Sequence, residues 1–546
     1  MPEGVVPDLI PTSALPALLD AAVARYADRP AMEFMGRRWT YRQLGQLVDR
    51  AARGLQDLGL KPGDRVGLCL PNTPYFVVLY YAALRAGGIV VNYNPLYVER
   101  ELLHQIKDSG TAIMAVPDVA AIHAKVAAVA EAGGLRRILV CSMAGALPRL
   151  KGAAYRAAKR GETARIPRDA LHVAFKRLVA SKRAPDPVAV NPGDVAVLQY
   201  TGGTTGVPKG AMLTHANLVA NAWQVERHMT GLVPGGERVL AVLPLFHVFA
   251  MTSVMNFGVG LGAEIVLHPR FVLDDVMRAI ERQRITLFPA VPTIYGAING
   301  AAEAAKRDLT SVKVCISGGA PLPGEVGERF VQLTGAKLVE GYGLTEASPV
   351  VACNPPDGPI RTGTVGVPMR GTAIEIRDPR PPHAVLPQGE RGEVCVRGPQ
   401  VMAGYWGRSA DTDAVFVDGA LRTGDIGVLD EAGYLAIVDR IKDVILCGGY
   451  NVYPRVLEEA LYQHPAVAEA TVIGVPDPYR GQAPKAFVVL RDDHAATPEA
   501  LREHLGGYVS KIELPREIEI RASLPKTMVG KLSKKELVDE EAARAG

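Results

Sequence analysis

The sequence predicts an α/β protein of several structural units, and three observations carry that prediction. The chain has 546 residues, too many for one compact core, which suggests about three to four units. Short apolar runs alternate with helical patterns over most of its first 430 residues, the signature of largely parallel sheets flanked by helices. From about residue 350 the texture changes to short strands spaced by Gly, Pro and Asp turns, which suggests a smaller antiparallel or barrel-like unit.

In chain order, DRVGLCLP (64–71) reads as a strand and YFVVLYYAALRAG (75–87) as a helix closed by glycine. AIMAVP, RRILVCS, VAVLQY, RVLAVLP, EIVLH, TLFPAVP and VKVCIS follow as strands with turn punctuation. TAIEIRD, GEVCVRG and GYLAIVD form the barrel-like unit at about 350–437. After Asp439, VYPRVLEEALYQHPAVAEATVIGVPD and KAFVVL give a helix–strand–strand pattern suited to an independent α+β domain. The charged stretch VDRIKDV, 438–444, is the expected boundary, dividing the chain into 1–438 and 439–546.

Composition excludes several classes. Hydrophobic residues make up 48% and charged residues 22%, ordinary for a globular protein. The 61 Lys and Arg against 57 Asp and Glu leave a net charge of +4, too mild to imply nucleic acid. The six cysteines are scattered without a CxxC pair or a Cys/His cluster, which argues against a disulfide framework or a zinc site and for a reducing, cytoplasmic compartment. The N-terminus lacks the basic and apolar regions of a secretory signal. Residues 239–263 contain no Lys, Arg, Asp or Glu and are long enough to span a bilayer. Pro244, His247, Asn256, Gly258, Gly260 and Gly262 interrupt them, however, so they are expected to wall an apolar ligand instead.

The stretch YTGGTTGVPKG, 200–210, directly follows an apolar strand. Glycines let backbone N–H groups approach phosphate oxygens, and threonine hydroxyls add donors or a magnesium ligand. A P-loop NTPase needs GxxxxGK[ST]. Here Pro208 precedes Lys209 and Gly210 follows it, so this is a phosphate loop of another kind.

YTGGTTGVPKGAMLTHANL closely resembles the phosphate loop of the adenylate-forming superfamily: acyl-CoA synthetases, peptide-synthetase adenylation domains and firefly luciferase. PLFHVFAM (244–251), SGGAPLP (317–323), EGYGLTE (340–346), GYW (404–406), DGALRTGDIG (418–427), DRIKDVILCGGYNVYP (439–454) and LPKTMVGKLSKKEL (524–537) follow in that superfamily's order. ARYADRPAMEFMGRRWTYRQL and VVNYNPLYVERELLHQIKDSG look most like bacterial long-chain fatty acid–CoA ligases. The resemblance implies a large N-terminal domain of doubly wound sheets with a small barrel-like unit, and a small mobile α+β C-terminal domain.

It also implies a reaction in which a carboxylate and ATP give acyl-AMP and pyrophosphate, and CoA then gives acyl-CoA and AMP. Thr201, Gly202, Gly203, Thr204, Thr205, Gly206 and Lys209 would grip the phosphates, with Mg²⁺ on Thr201 and Glu346. Adenosine would meet Tyr342, flanked by Gly341 and Gly343, and the backbone of Gly319, Ala320, Pro321 and Glu340. Thr345 would contact the α-phosphate. Asp425 would accept from both ribose hydroxyls, backed by Arg440. Lys531 is the expected adenylation catalyst, and His247 a gate or carboxylate-positioning residue. Lys442, Gly448 and Gly449 are expected on the CoA path. Met251, Gly258, Gly260 and Gly262 are expected at the acyl pocket. Met251 stands where some long-chain enzymes place a gating tryptophan, and Ala420 where DGWLxTGD has one, so chain length is left open.

Between Arg149 and Arg183 eleven Lys or Arg face only Glu162 and Asp169. Part of this stretch would form a helix laying Leu171, Val173, Phe175 and Leu178 against apolar material. That suits contact with the anionic inner face of a membrane, as it does a solvated insertion. The sequence also allows a homodimer. Alternatives on the same fold are an aryl- or cinnamate-CoA ligase, a fatty acyl-AMP ligase, and a non-catalytic lipid or nucleotide sensor.

Overall fold

The computed structural model describes residues 9–201, 208–361, 363–448, 450–491, 494–527 and 530–545. Two large sheets form the N-terminal part. One has seven strands in the order His172–Ala174, Arg137–Cys141, Thr111–Pro117, Arg65–Leu68, Ile89–Asn92, Val195–Tyr200, Gly210–Thr214, parallel except for the last pair. Its central strands are buried on both faces, which explains why they read as unbroken apolar runs. The helix Pro74–Arg85 packs between layers and buries every residue but Arg85, so it is apolar all round. The neighbouring helix Tyr41–Asp57 keeps a polar face and starts at a capping box of Thr40 with Gln43, a cap worth about 1 kcal/mol.

The second sheet runs Arg37–Thr40, Pro30–Phe34, Glu264–Leu267, Arg238–Ala241. It continues through single bridges at Leu287 and Ala290 into Val314–Gly318, Lys337–Gly343, Val350–Cys353 and Val367–Pro368. The expected strand TLFPAVP is therefore reduced to those two bridges. Pro289 between them has no N–H to donate, which interrupts a ladder at that point.

The barrel-like unit is a five-stranded antiparallel sheet of Ala373–Arg377, Gly392–Arg397, Ala420–Leu429, Phe416–Val417 and Leu435–Arg440. Residues 350–368, expected in it, instead complete the second large sheet. From Ile445 onward a third body appears. Strands Ile445–Cys447, Tyr450–Val452, Val467–Asp477, Gly481–Leu490 and Glu517–Ile520 surround their own core with helices Pro454–Tyr462 and Pro498–Leu505.

The uncharged stretch 239–263 breaks into the strand Arg238–Ala241, a short helix Val248–Ala250, a π-helical segment Met251–Asn256 and a final turn Phe257–Leu261. No helix among the described residues is long and apolar enough to cross a membrane. All six cysteines are free and buried.

The basic stretch departs from expectation. Its helix is Arg149–Ala158, whereas residues 172–174 form an edge strand and Phe175–Leu178 one helical turn. Phe175 packs edge-on against Tyr75 at 4.7 Å, and Leu178 is buried. The carbonyl of Leu178 would lie 2.2 Å from a Cβ at Gly54, so only glycine admits this contact. Leu171, Val173, Phe175 and Leu178 thus belong to the core.

Candidate functional site

A cavity of about 2450 Å³ opens where the two large sheets, the barrel-like sheet and the C-terminal body meet. Its nucleoside-sized corner is built on paired strands. Asp425 lies opposite Arg440 in antiparallel register, and Tyr342 projects from the end of Lys337–Gly343. The Tyr342 hydroxyl donates to Asp425 Oδ2 at 2.5 Å, and Arg440 Nε sits 3.3 Å from Oδ1. Burial raises the pKa of the Asp425 carboxyl, and the Arg440 guanidinium opposes that shift. Each carboxylate oxygen keeps acceptor capacity beyond its resident partner.

Across the cavity, Lys531 reaches in from the C-terminal body. A tight turn presents it: Thr527 N–H donates to the Lys531 carbonyl at 2.7 Å, and Lys531 N–H to Thr527 Oγ1 at 3.2 Å. Thr293 of the N-terminal part fixes that turn by donating its hydroxyl to the Gly530 carbonyl at 2.9 Å. The Lys531 side chain lies over Gly319, where a Cβ would stand 2.6 Å from Cε and 3.1 Å from Nζ. Gly319 has φ +85°, so both its backbone and this close approach require glycine. Burial, then the charge of Arg440, lower the Lys531 ammonium to about 8. His247 opens the short helix Val248–Ala250, and its Nδ1 accepts from Phe249 N–H at 3.3 Å. Burial and then Lys531 lower its pKa to about 3. The ring is therefore neutral, and an accepting Nδ1 leaves Nε2 as the donor.

On the third side stands Glu346 in the turn Thr345–Ala347. Its Oε1 accepts from the Tyr405 hydroxyl at 2.8 Å. Thr201 extends the pairing of Val195–Tyr200 with Gly210–Thr214, donating its N–H to the Lys209 carbonyl at 3.0 Å. Among the described residues no group of three or more His, Cys, Asp or Glu forms a metal cage. One carboxylate and one hydroxyl suit Mg²⁺ held chiefly through substrate phosphates.

Ala320, Pro321, Glu340, Gly341, Gly343, Thr345 and Lys442 also line the cavity. Gly202, Gly203, Thr204, Thr205, Gly206 and Gly449 lie outside the described residues. Two expectations need correction. Gly258, Gly260 and Gly262 do not face the cavity; their Cβ positions would meet Ile265 at 3.3 Å, Leu18 at 3.3 Å and Tyr26 at 2.3 Å. Met251 is fully buried behind Asn92, whose Nδ2 lies 3.3 Å from Met251 Sδ. Gly448, expected on the CoA path, is exposed beyond the strand Ile445–Cys447 and away from the cavity in this arrangement.

Glu340 contributes differently from expectation. Its carbonyl is taken by Asn354 N–H at 2.9 Å, while its side chain accepts from Leu322 N–H at 3.2 Å. Burial raises its carboxyl to about 7, opposed by Arg455 of the C-terminal body. Sequence reasoning missed Thr293 altogether, and it quoted Tyr405 only as part of GYW.

The AMP-binding enzyme family matches residues 19–406, and the AMP-binding enzyme C-terminal domain matches residues 456–531. A long-chain-fatty-acid–CoA ligase of Bacillus subtilis (strain 168) is 41% identical over 97% of this chain and 95% of its own length. Among solved structures, ATP-bound MatB from Rhodopseudomonas palustris superposes with a TM-score of 0.83 at 28% identity, covering 97% of this chain and 99% of that one. The anthranilate CoA ligase AuaEII in complex with anthranoyl-AMP superposes with a TM-score of 0.87 at 26% identity, covering 98% of each chain.

Proposed function

We infer that this chain, which belongs to the AMP-binding enzyme family, is an ATP-dependent, AMP-forming fatty acid–CoA ligase. The observation that carries this reading is the meeting of Lys531 with the Asp425–Tyr342–Arg440 corner in one cavity. The two halves of that arrangement come from separate parts of the chain. The 41% identity to a long-chain-fatty-acid–CoA ligase over nearly the full length supports a fatty acid as the carboxylate. A second reading, an aryl-CoA ligase, draws on the anthranilate CoA ligase at 26% identity.

A carboxylate is a poor electrophile, and activation replaces oxide with a better leaving group. One carboxylate oxygen attacks the α-phosphorus of ATP, and the bond to the β-phosphate oxygen breaks, giving acyl-AMP and pyrophosphate. The CoA thiol, losing its proton, then attacks the acyl carbon and AMP departs. Most of the first step is positioning and charge stabilisation.

In this scheme Asp425 holds the ribose hydroxyls and Tyr342 stacks on the base. His247 donates from Nε2 to the incoming carboxylate. The Lys531 ammonium holds the attacking carboxylate and balances the negative charge growing on the bridging oxygen as pyrophosphate leaves. Glu346, oriented by Tyr405, and Thr201 would hold Mg²⁺, which would neutralise phosphate charge when bound. Lys442 stands on the CoA path. We place the hinge between the expected bodies, 1–438 and 439–546, within residues 438–444, after Arg440, which pairs with Asp425 in the barrel-like sheet, and before Ile445. Fatty-acid-dependent exchange of pyrophosphate into ATP tests the reading. Acids from C6 to C20 should support it better than cinnamates, and the reverse order would favour the aryl ligase. No exchange with any acid would support a sensor instead.

The basic stretch supports transient contact with an anionic membrane surface that delivers the acid. On the helix Arg149–Ala158, Leu150 is 88% exposed, beside exposed Arg149, Arg156 and Lys159. Co-sedimentation with anionic vesicles should fall as salt shortens the Debye length to roughly 3 Å. Absence of sedimentation at low salt would make the stretch a solvated insertion.

A further inference from the structure

The phosphate side of the cavity holds a charge pairing that this reaction scheme leaves unused. Lys209 Nζ lies 2.6 Å from Asp411 Oδ1 and 5.2 Å from the centre of the Tyr405 ring. Lys209 is not among the residues lining the cavity, whereas Thr201 and Tyr405 on either side of it are. The lysine is drawn aside to the carboxylate.

The backbone fixes this geometry. Strand Gly210–Thr214 is stitched to the segment before Asp411, with Met212 N–H to Gly404 O at 2.8 Å, Ala403 N–H to Met212 O at 3.0 Å and Trp406 N–H to Gly210 O at 2.8 Å. Thr412 Oγ1 accepts from Tyr405 N–H at 2.9 Å. Asp411 thus sits at a set distance from the root of Lys209. Its other cationic neighbour, Arg408, stands 3.8 Å away and also reaches Asp108 at 3.3 Å.

We propose that Asp411 is a resident counter-ion which Lys209 exchanges for the phosphates of ATP, and to which it returns as pyrophosphate leaves. Asp411 is a positioning residue that acts through Lys209. This proposal rests on the reading that the cavity binds ATP. The side chains are 33% and 37% exposed, and a partly exposed pair of this kind is weak enough to exchange. A polyphosphate carries several charges and outcompetes one carboxylate for the ammonium. Having to displace Asp411 weakens ATP binding and pyrophosphate binding alike. That is uniform binding, which sets KM and product affinity without speeding the chemical step. Its benefit falls after bond cleavage, when Asp411 recaptures the lysine and the first product is released.

The test is inhibition of acyl-CoA formation by pyrophosphate in the full chain, with Mg-ATP varied. Asp411→Asn should lower the inhibition constant for pyrophosphate and the KM for ATP together, by about three- to five-fold. Asp411→Glu should return both toward the parental values. Asp108→Asn, which removes the anionic partner of Arg408, keeps an amide oxygen to accept from the Tyr200 hydroxyl and leaves Lys209–Asp411 intact, should change neither. These constants do not depend on how much of a variant is folded. Inhibition unchanged within about 1.5-fold in Asp411→Asn would overturn the proposal, as would an equal change in Asp108→Asn. Parental exchange activity with an unaltered Asp411→Asn constant sinks this inference alone, whereas no exchange in the parent sinks the ATP reading beneath it.

Discussion

The C-terminal body turns two unlike faces to the rest of the molecule. The Lys531 turn is docked inside the cavity, against Gly319 and held by Thr293. The hairpin carrying Gly448 faces solvent, with Leu446 60% and Tyr450 64% exposed. An ion pair between Arg491 and Glu325 at 2.8 Å and the stacking of Arg391 on Tyr453 at 4.9 Å also join the two bodies in this arrangement. A single static site would bring both faces to the cavity. On the proposed function, the difference assigns this arrangement to the first half-reaction. On the same proposal the second half-reaction follows a turn of the body about the hinge proposed within residues 438–444.

The largest expected effect falls on the docked face. Lys531→Ala should cut acyl-AMP formation by roughly 10²–10³-fold, the usual consequence of losing one donor to developing charge. Conversion of preformed acyl-AMP and CoA to acyl-CoA should survive. Equal loss of both halves would erase the contrast between the faces.

The outward face should show the opposite pattern. Gly448→Leu should leave pyrophosphate exchange within about two-fold of the parent and slow thioester formation from synthetic adenylate about ten-fold or more. Gly448 has φ +59°, so a melting curve must accompany the assay to separate backbone strain from obstruction.

A pH profile sharpens the comparison without mutation. In the proposed role Lys531 acts in its protonated form, and burial lowers its pKa to about 8. Adenylation should therefore be level below that pH and fall as pH rises through it. Thioester formation from preformed adenylate should lack this limb. His247 adds no limb near neutrality, because it is already neutral well above about 3. The same alkaline limb in both half-reactions would unseat Lys531 from its role.

Much of the fold was legible because buried parallel strands must be continuous apolar runs, and strands such as Ile89–Asn92 are. The local motifs around Tyr342, Asp425 and Lys531 were legible for a related reason, since each carries its own turn chemistry. What escaped depended on partners far along the chain. Gly258, Gly260 and Gly262 look like a smooth wall, yet Ile265, Leu18 and Tyr26 fill their faces. Asp411 lies 202 residues from Lys209 and Thr293 lies 237 from Gly530, and no local spacing announces either pairing. Gly448 and Lys442 share one motif, but the orientation of the C-terminal body puts only Lys442 on the cavity.

The smallest effect belongs to Thr293. Thr293→Ala removes one neutral hydrogen bond to the docked turn, which is worth about a factor of two to ten. Adenylation should weaken by that amount, and the thioester half should be untouched or slightly faster. A loss confined to the thioester half would mean the contact serves the other arrangement.

The contact at Thr293 also offers the most direct measurement. A Cβ at Gly530 would lie 2.9 Å from Thr293 Oγ1, the approach a disulfide between cysteines at the two positions needs, and because Gly530 has φ +80° a melting curve of the reduced double variant accompanies the assay. The six native cysteines are buried and do not compete. With Thr293→Cys and Gly530→Cys combined, the oxidised enzyme should form acyl-AMP to about one equivalent per chain and make no acyl-CoA, and reduction should restore turnover. Continued acyl-CoA synthesis by the fully oxidised enzyme would show that both steps occur with Lys531 docked, contradicting the account.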